Sequence, residues 1–443
     1  MTRITKYFLT FILLAGSAIA YGQKTDTVLT LQQCLDIAIR NNLTVKQDSV
    51  TAELARVSYT QAKDNLIPNI TGGASRNLSS GRAVNPVTNT YVTQSVTSDN
   101  YNLNGTVTLF NGLALQSAIK QTSLAYQSGK MAFKAAKDVV VVNVITNYLQ
   151  VLDAQEILGQ SKSQLAVAKE NLDIATTKEK YGANLTASTL TDFQGAYASS
   201  KVGVVQAQNS LNLAKLSLFQ LMNIPYNKYA KLQPLNAQDL QGQYGANPDS
   251  VYNTALQQLA QVKAATLMRQ SAEKGVKYAK GGLFPQLVLG GGIGTNYSNL
   301  NTQSYYSQFR NNYGTYVQLG LNIPIFTNHI RKNAVANAKL NLLNYEYIED
   351  NVKIQLKQSV ETAYYNMTNA YDRYRALDTA AKAYAESYRV QKIRLDAGVI
   401  TSDLFLLTKN NLDAANLNLI SARFDYYIYS KILDYYQGKL SSF

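Results

Sequence analysis

The chain states one short phrase twice. Asn65 to Gly73 reads NLIPNITGG, and Gly282 to Gly290 reads GLFPQLVLG. A shift of 217 residues superposes Leu66 on Leu283, Pro68 on Pro285, Val45-Lys46 on Val262-Lys263 and Ala62-Lys63 on Ala279-Lys280. Phe110 and Phe326 correspond one residue out of step. A duplicated chain builds two similar units, so a feature of one half is read together with its counterpart.

In both halves a period of two gives way to a helical one. Tyr101, Leu103, Gly105, Val107 and Leu109 alternate with Asn102, Asn104, Thr106 and Thr108. Val317, Leu319, Leu321 and Ile323 alternate with Gln318, Gly320 and Asn322. That is the pattern of strands with one apolar and one polar face. The repeated phrases open the partner strands, from about Ile67 to Leu78 and from about Leu283 to Tyr297. The polar stretches SSGRAVNPVTNTYVTQSVT and SNLNTQSYYSQFRNN then read as connecting loops.

Long helices follow. No proline interrupts Val87 to Ile224 or Ile325 to the end, and most of each stretch is rich in helix formers. Val151, Leu158, Leu165 and Leu172 are seven apart, as are Ala154, Ser161, Ala168 and Ala175. This narrow stripe of large and small residues suits coiled-coil packing rather than a globular core. A helix from Leu113 to Tyr181 would be about 100 Å long. Each long helix breaks once, at KYGANLTASTL and at RLDAGVITSDL. Asn184 aligns with Gly398, and both residue types take a left-handed C-cap readily. Thr186 or Ser188, and Thr401 or Ser402, are placed to N-cap the returning helices. These breaks read as tips of antiparallel helical hairpins, with Leu185, Val399 and Ile400 exposed beside the turns.

The expected organisation is a signal peptide over 1–22 and a first repeat over 23–222. That repeat has two strands within about 67–110 and a tip at 182–188. A connecting segment over 223–250 leads to a second repeat over 251–443, with strands within about 283–326 and a tip at 396–402. The signal peptide rests on basic Arg3 and Lys6, a short apolar run and the small residues AIA.

Several functions are excluded. One cysteine, Cys34, and one histidine, His329, supply neither a disulfide nor a zinc set. His329 has no nucleophile motif beside it and reads as a polar residue at an element junction. Cys34 reads as a small helix residue, not a lipidated one. GGGIGT lacks the Lys-Ser/Thr of a phosphate loop. No paired carboxylates sit beside a pocket-like segment, so no catalytic, cofactor or metal site is expected. The net charge of +14 comes without a compact basic motif, which argues against nucleic acid. Lys178, Lys180, Lys392 and Arg394 near the tips suit a partner protein or anionic headgroups. The C-terminal Phe443 follows LDYYQGKLSS, which does not alternate as a barrel strand should.

Beyond the leader no apolar run reaches 18 residues, which leaves a β-barrel as the way into a membrane. Four strands per chain cannot close one, since about eight is the usual minimum. Three copies would bring twelve. The leader, the outward-apolar strands and Tyr101, Tyr297, Tyr313 and Tyr316 near strand ends suit an outer membrane.

The chain resembles the TolC-like outer membrane efflux proteins over nearly all of its mature length. The resemblance is carried by LTLQQCLDIAIRNN, by NLIPNI and GLFPQL, by LFNG and IFTN where strand becomes helix, and by the tips GANLTAS and AGVITSD. It implies a mainly α fold with a β-barrel part, in which a homotrimer forms a twelve-stranded outer membrane barrel continued by a periplasmic α-helical coiled-coil barrel. It also implies most of the mass in the periplasm, and docking of the tips onto a periplasmic adaptor and an inner-membrane pump, in drug efflux or type I secretion. The candidate docking residues are Asn184, Leu185, Thr186, Gly398, Val399 and Ile400. Relatives narrow the periplasmic mouth with aspartates six and nine places after the second tip's glycine. Here those places hold Leu404 and Leu407, with Asp403 beside the first and Asp192 in the first repeat's equivalent stretch. These four are the candidate constriction. The rival reading is a secreted or surface-attached structural coiled coil, adhesin-like, which would purify without detergent.

Overall fold

The computed structural model describes residues 28–84, 88–181, 187–234, 244–245 and 247–439. The expected signal peptide and Asn184, Leu185 and Thr186 of the first tip lie outside these residues.

The elements come in matched pairs. Helices α1 (Leu31–Asn41) and α5 (Pro248–Gln258) have 11 residues each, and α2 (Leu43–Asp64) and α6 (Ala260–Gly281) have 22. The long helices α3 (Ala114–Lys180) and α8 (Ile330–Asp396) have 67 each, and the returning helices α4 (Ala187–Leu221) and α9 (Ser402–Tyr436) have 35. The offset between copies is 217 residues at α2 and α6, 216 at α3 and α8, and 215 at α4 and α9. One residue is thus lost in the strand region, before Phe110 and Phe326, and one at the tip.

The chain divides into two compact units. The first comprises Met1–Leu43, Lys137–Val251 and Val360–Phe443; the second comprises Thr44–Ala136 and Tyr252–Ser359.

The second unit holds an antiparallel sheet in the order β2 (Asn69–Val84), β3 (Tyr91–Phe110), β5 (Gln286–Ser298), β6 (Gly314–Asn322). Directly opposed residues share a face, because strand side chains alternate. Ile70, Gly105 and Gly291, then Val107, Leu289 and Leu319, are opposed on one face; Asn104, Gly292 and Tyr316 are opposed on the other. The sheet is therefore apolar on one side and polar on the other, with β2 and β6 as its edges. A register shift between Thr108 and Phe110 lies where β3 leaves the sheet.

Two expected loops are largely ordered elements instead. Ser79–Val84 and Tyr91–Thr97 continue the first hairpin, pairing Ser80 with Ser95 and Val84 with Tyr91. Backbone ladder bonds hold this Ser/Thr-rich ribbon without an apolar face. The second loop contains a short helix, α7 (Tyr305–Asn311). Ser304 N-caps it by accepting from the Ser307 N–H at 3.3 Å.

The two strand-to-helix turns share a backbone solution. Gly112 and Leu113 have φ of 64° and 61°; their counterparts Asn328 and His329 have 49° and 61°. His329 thus occupies a left-handed turn position, with its ring edge-on to Phe326 at 5.8 Å. Helix α6 packs against α3 closely enough that a Cβ on Gly281 would come within 2.7 Å of the Ala114 Cβ. A Cβ on Gly112 would lie 2.6 Å from the Gly281 carbonyl oxygen. Along the same seam the Ser128 hydroxyl donates to the Ala264 carbonyl at 2.7 Å, and the Ser271 hydroxyl to that of Gln121 at 2.8 Å.

In the first unit, α1 opens with a capping box. The Thr30 hydroxyl accepts from the Gln33 N–H, and the Gln33 side chain accepts from the Thr30 N–H. Cys34 is fully buried on this helix, and burial pushes its thiol up to about 11, which keeps it inert. The connecting segment adds a small parallel pair, β1 (Val28–Leu29) with β4 (Lys231–Leu232). The buried Tyr148 hydroxyl donates to the Gln233 carbonyl beside it at 2.8 Å. Of the heptad seam, Val151, Ala154, Leu158, Ser161, Ala168 and Ala175 are buried. Small residues at these positions let α3 run close to its neighbours. No described helix is long and apolar enough to cross a membrane.

Candidate functional site

The second tip is a five-residue turn between Asp396 and Ser402. Gly398 has φ 71°. The Val399 N–H donates to the Arg394 carbonyl at 2.9 Å, and the Gly398 N–H to that of Leu395 at 3.0 Å. These two bonds make a Schellman motif, which satisfies the last carbonyls of α8 and requires the left-handed residue. Thr401 is the N-cap residue of α9, with extended backbone and no side-chain capping bond. In the first tip α4 begins at Ala187, so Ser188 lies inside the helix rather than at its cap.

Val399 stands exposed at the end of the turn. Ile400 does not: it packs against a cluster of Ala175, Phe193 and Phe405. The ring centroids of Phe193 and Phe405 are 6.3 Å apart, and Tyr388 lies 5.5 Å from Phe405. Ile400 thereby anchors the turn to the hairpin stem.

The four candidate constriction residues separate into two kinds. Leu404 and Leu407, three apart on α9, are exposed, whereas their neighbours Phe405 and Thr408 are buried. Asp403 is exposed in the first turn of α9. The Thr401 hydroxyl and the Leu404 N–H hold its carboxyl below the usual range. Asp192 is half-buried and accepts a bond of 2.8 Å from the Ser402 hydroxyl, tying α4 to the start of α9. Its role in the described chain is that cross-link between hairpins. Residue spacing gave no sign of it, because the partners are 210 residues apart.

Two charge groups lie further along the helices. Lys409 is buried and paired with Asp413 one turn on. Burial pushes the Asp413 carboxyl above its ordinary value despite that partner. Glu156 pairs with Arg423, and Arg373 with Asp425. Asp153 sits among these with one carboxylate oxygen buried and lacking a hydrogen-bond partner. Burial, then the charges of Asp425 and Glu156, push it up to about 6. Sequence spacing did not flag either group.

The description "Outer membrane efflux protein" belongs to a family whose model matches residues 34–223 and 251–438, one stretch in each repeat. The outer membrane protein TolC of Escherichia coli (strain K12) is 22% identical over 426 residues, covering 94% of this chain and 83% of its own. Toxin and drug export protein A of Aggregatibacter actinomycetemcomitans is 22% identical over 430 residues, covering 92% and 87%. The crystal structure of the Campylobacter jejuni CmeC outer membrane channel superposes with a TM-score of 0.79 at 17% identity, covering 95% of this chain and 90% of that one.

Proposed function

Because the chain belongs to the outer membrane efflux protein family, we propose that it is the exit duct of a tripartite efflux or type I secretion system. Three copies close a barrel in the outer membrane, and their long helices continue it into the periplasm. Substrate passes passively from an inner-membrane pump, through a periplasmic adaptor, to the exterior. Its relatives are channels and not enzymes.

The observation that carries this reading is the four-stranded sheet. It has one apolar face, one polar face and two open edges. A lone sheet of this kind is unstable in water. Twelve strands from three copies would put the apolar face in lipid and the polar face around a lumen. The tips complete the proposal: Gly398 and Val399, with Asn184, Leu185 and Thr186 at the first tip, form the docking surface for the adaptor. Leu404, Leu407 and Asp403 line the closed mouth. An adhesin-like coiled coil would have no use for the apolar sheet face.

The test is purification and conductance. Extraction with detergent should give a trimer by native mass spectrometry that forms ion-conducting pores in planar bilayers. A monomer soluble without detergent would overturn the proposal.

A further inference from the structure

The strand region is almost without charge. From Leu66 to Phe110 and from Leu283 to Phe326 the charged residues are Arg76, Arg82, Asp99 and Arg310. None is a lysine. Their placement is not scattered. Arg76 is opposed to Asp99, and Asp99 to Tyr297, at the outer end of the apolar face. Arg82 lies six residues beyond Arg76 on β2, hence on the same face. There its guanidinium stacks 4.6 Å from the Tyr91 ring.

Helix α7 is laid on this same face. The Tyr101 and Tyr305 hydroxyls are 2.7 Å apart, and the Tyr305 ring lies 4.6 Å from that of Tyr297. Phe309 meets Tyr101 edge-on at 5.7 Å, and the Thr295 hydroxyl donates to the Phe309 carbonyl at 2.7 Å. Buried Gln308 fixes the loop by bonding Ser298, Asn301 and Gln303. With Tyr305, Gln308 and Phe309 engaged, Tyr306 and Arg310, one turn apart, are left exposed. Arg310 has no ion-pair partner among the described residues. The one carboxylate in the sequence of the strand region, Asp99, is already held by both nitrogens of the Arg76 fork at 2.7 Å.

We propose that α7, with Arg82 and Arg310, is a binding collar for the phosphorylated headgroups of outer-leaflet lipid. The inference rests on the membrane placement proposed above. The apolar face below α7 (Leu103, Val107, Leu289, Val317, Leu319) runs continuously into the collar, so acyl chains against that face bring headgroups to its level. Exposed aromatic rings favour that interfacial depth. Guanidinium groups grip phosphate with two parallel hydrogen bonds, which a lysine cannot do. With Arg76 held by Asp99, Arg82 and Arg310 supply the complementary charge.

The experiment uses the full-length detergent-solubilised protein titrated with bis-phosphorylated lipid A, read by native mass spectrometry. Arg82→Gln with Arg310→Gln should weaken lipid binding by about tenfold or more, on the scale of one lost charge-assisted contact. The trimer mass and conductance should be unchanged, which separates this inference from the duct proposal. Arg310→Lys should retain only part of the binding. Equal lipid affinity in the double variant would overturn the collar. So would full competition by inorganic phosphate, which would mark a small-anion site, or loss of the trimer on Tyr306→Ser, which would mark α7 as a contact between copies.

Discussion

The α3–α6 seam and its repeat counterpart, α8 against α2, differ in what lines them. The first is made within the chain from small and hydroxyl-bearing residues: Ser128 on Ala264, Ser271 on Gln121, Gly281 on Ala114. At the matching positions of the second stand Asn344 and Gln47, Leu54 and Asn337, Asp64 and Ile330. Within one chain all six of these residues are exposed. Leu54 is 63% exposed and Ile330 68%, and Val50, Val57, Leu340 and Tyr347 are exposed as well. A contact that the duplication calls for, and that the chain cannot make with itself, is available to a second copy. Such a head-to-tail interface, repeated, closes into a ring when its rotation is a whole fraction of a turn.

The comparison breaks most severely at its tight side. Gly112→Val combines positive φ with a clash against the Gly281 carbonyl, and should cost about 2–4 kcal/mol. Little folded protein should reach the membrane fraction. Asn328→Gly, at the equivalent turn, should be near neutral in the same fractionation. On the open side, Leu54→Asp with Val57→Asp places charges on the exposed stripe of α2. The described fold should persist by circular dichroism, while native mass spectrometry shows monomer. A trimer of normal stability would remove α2 from the interface.

Away from both seams the effects shrink. Gly398→Val should strain the tip turn by about 1 kcal/mol or more. The trimer should remain and export should fall; wild-type export from Gly398→Val combined with Val399→Asp would remove the docking role. Asp153 gives a smaller effect with a definite sign. Its folded-state value, about 6, lies above that of an unfolded aspartate, so the fold holds the proton more tightly. Stability therefore falls as pH rises from about 4 to about 6, and the cost persists above that range. Asp153→Asn should raise the melting temperature at neutral pH and make no difference below about pH 4.

What the sequence revealed follows the same division. The duplication, the alternating strands at Tyr101–Leu109 and Val317–Ile323 and the small-residue seam of α3 were legible because each leaves a periodic contrast of apolar and polar residues. The hairpin extension SSGRAV with YVTQSVT was not, since serine and threonine on both faces carry no contrast and only the backbone ladder defines the strands. Helix α7 had a weak signal in Ser304 followed by Ser307, too short to show a period. At the second tip, glycine gave the turn, but the burial of Ile400 depends on Phe193 and Phe405, which reach it from other helices. The Asp192–Ser402 bond and the Asp153 group likewise exist only once distant segments are packed together.

The central claim is that α2 and the start of α8 meet between copies. It is tested most directly by cysteine crosslinking of Asp64→Cys with Ile330→Cys, in a Cys34→Ala background, because these positions correspond to Gly281 and Ala114. Oxidation in membranes should give covalent dimer and trimer on a non-reducing gel, with neither single variant doing so. Crosslinking confined to the monomer, or none in an intact trimer, would contradict the account.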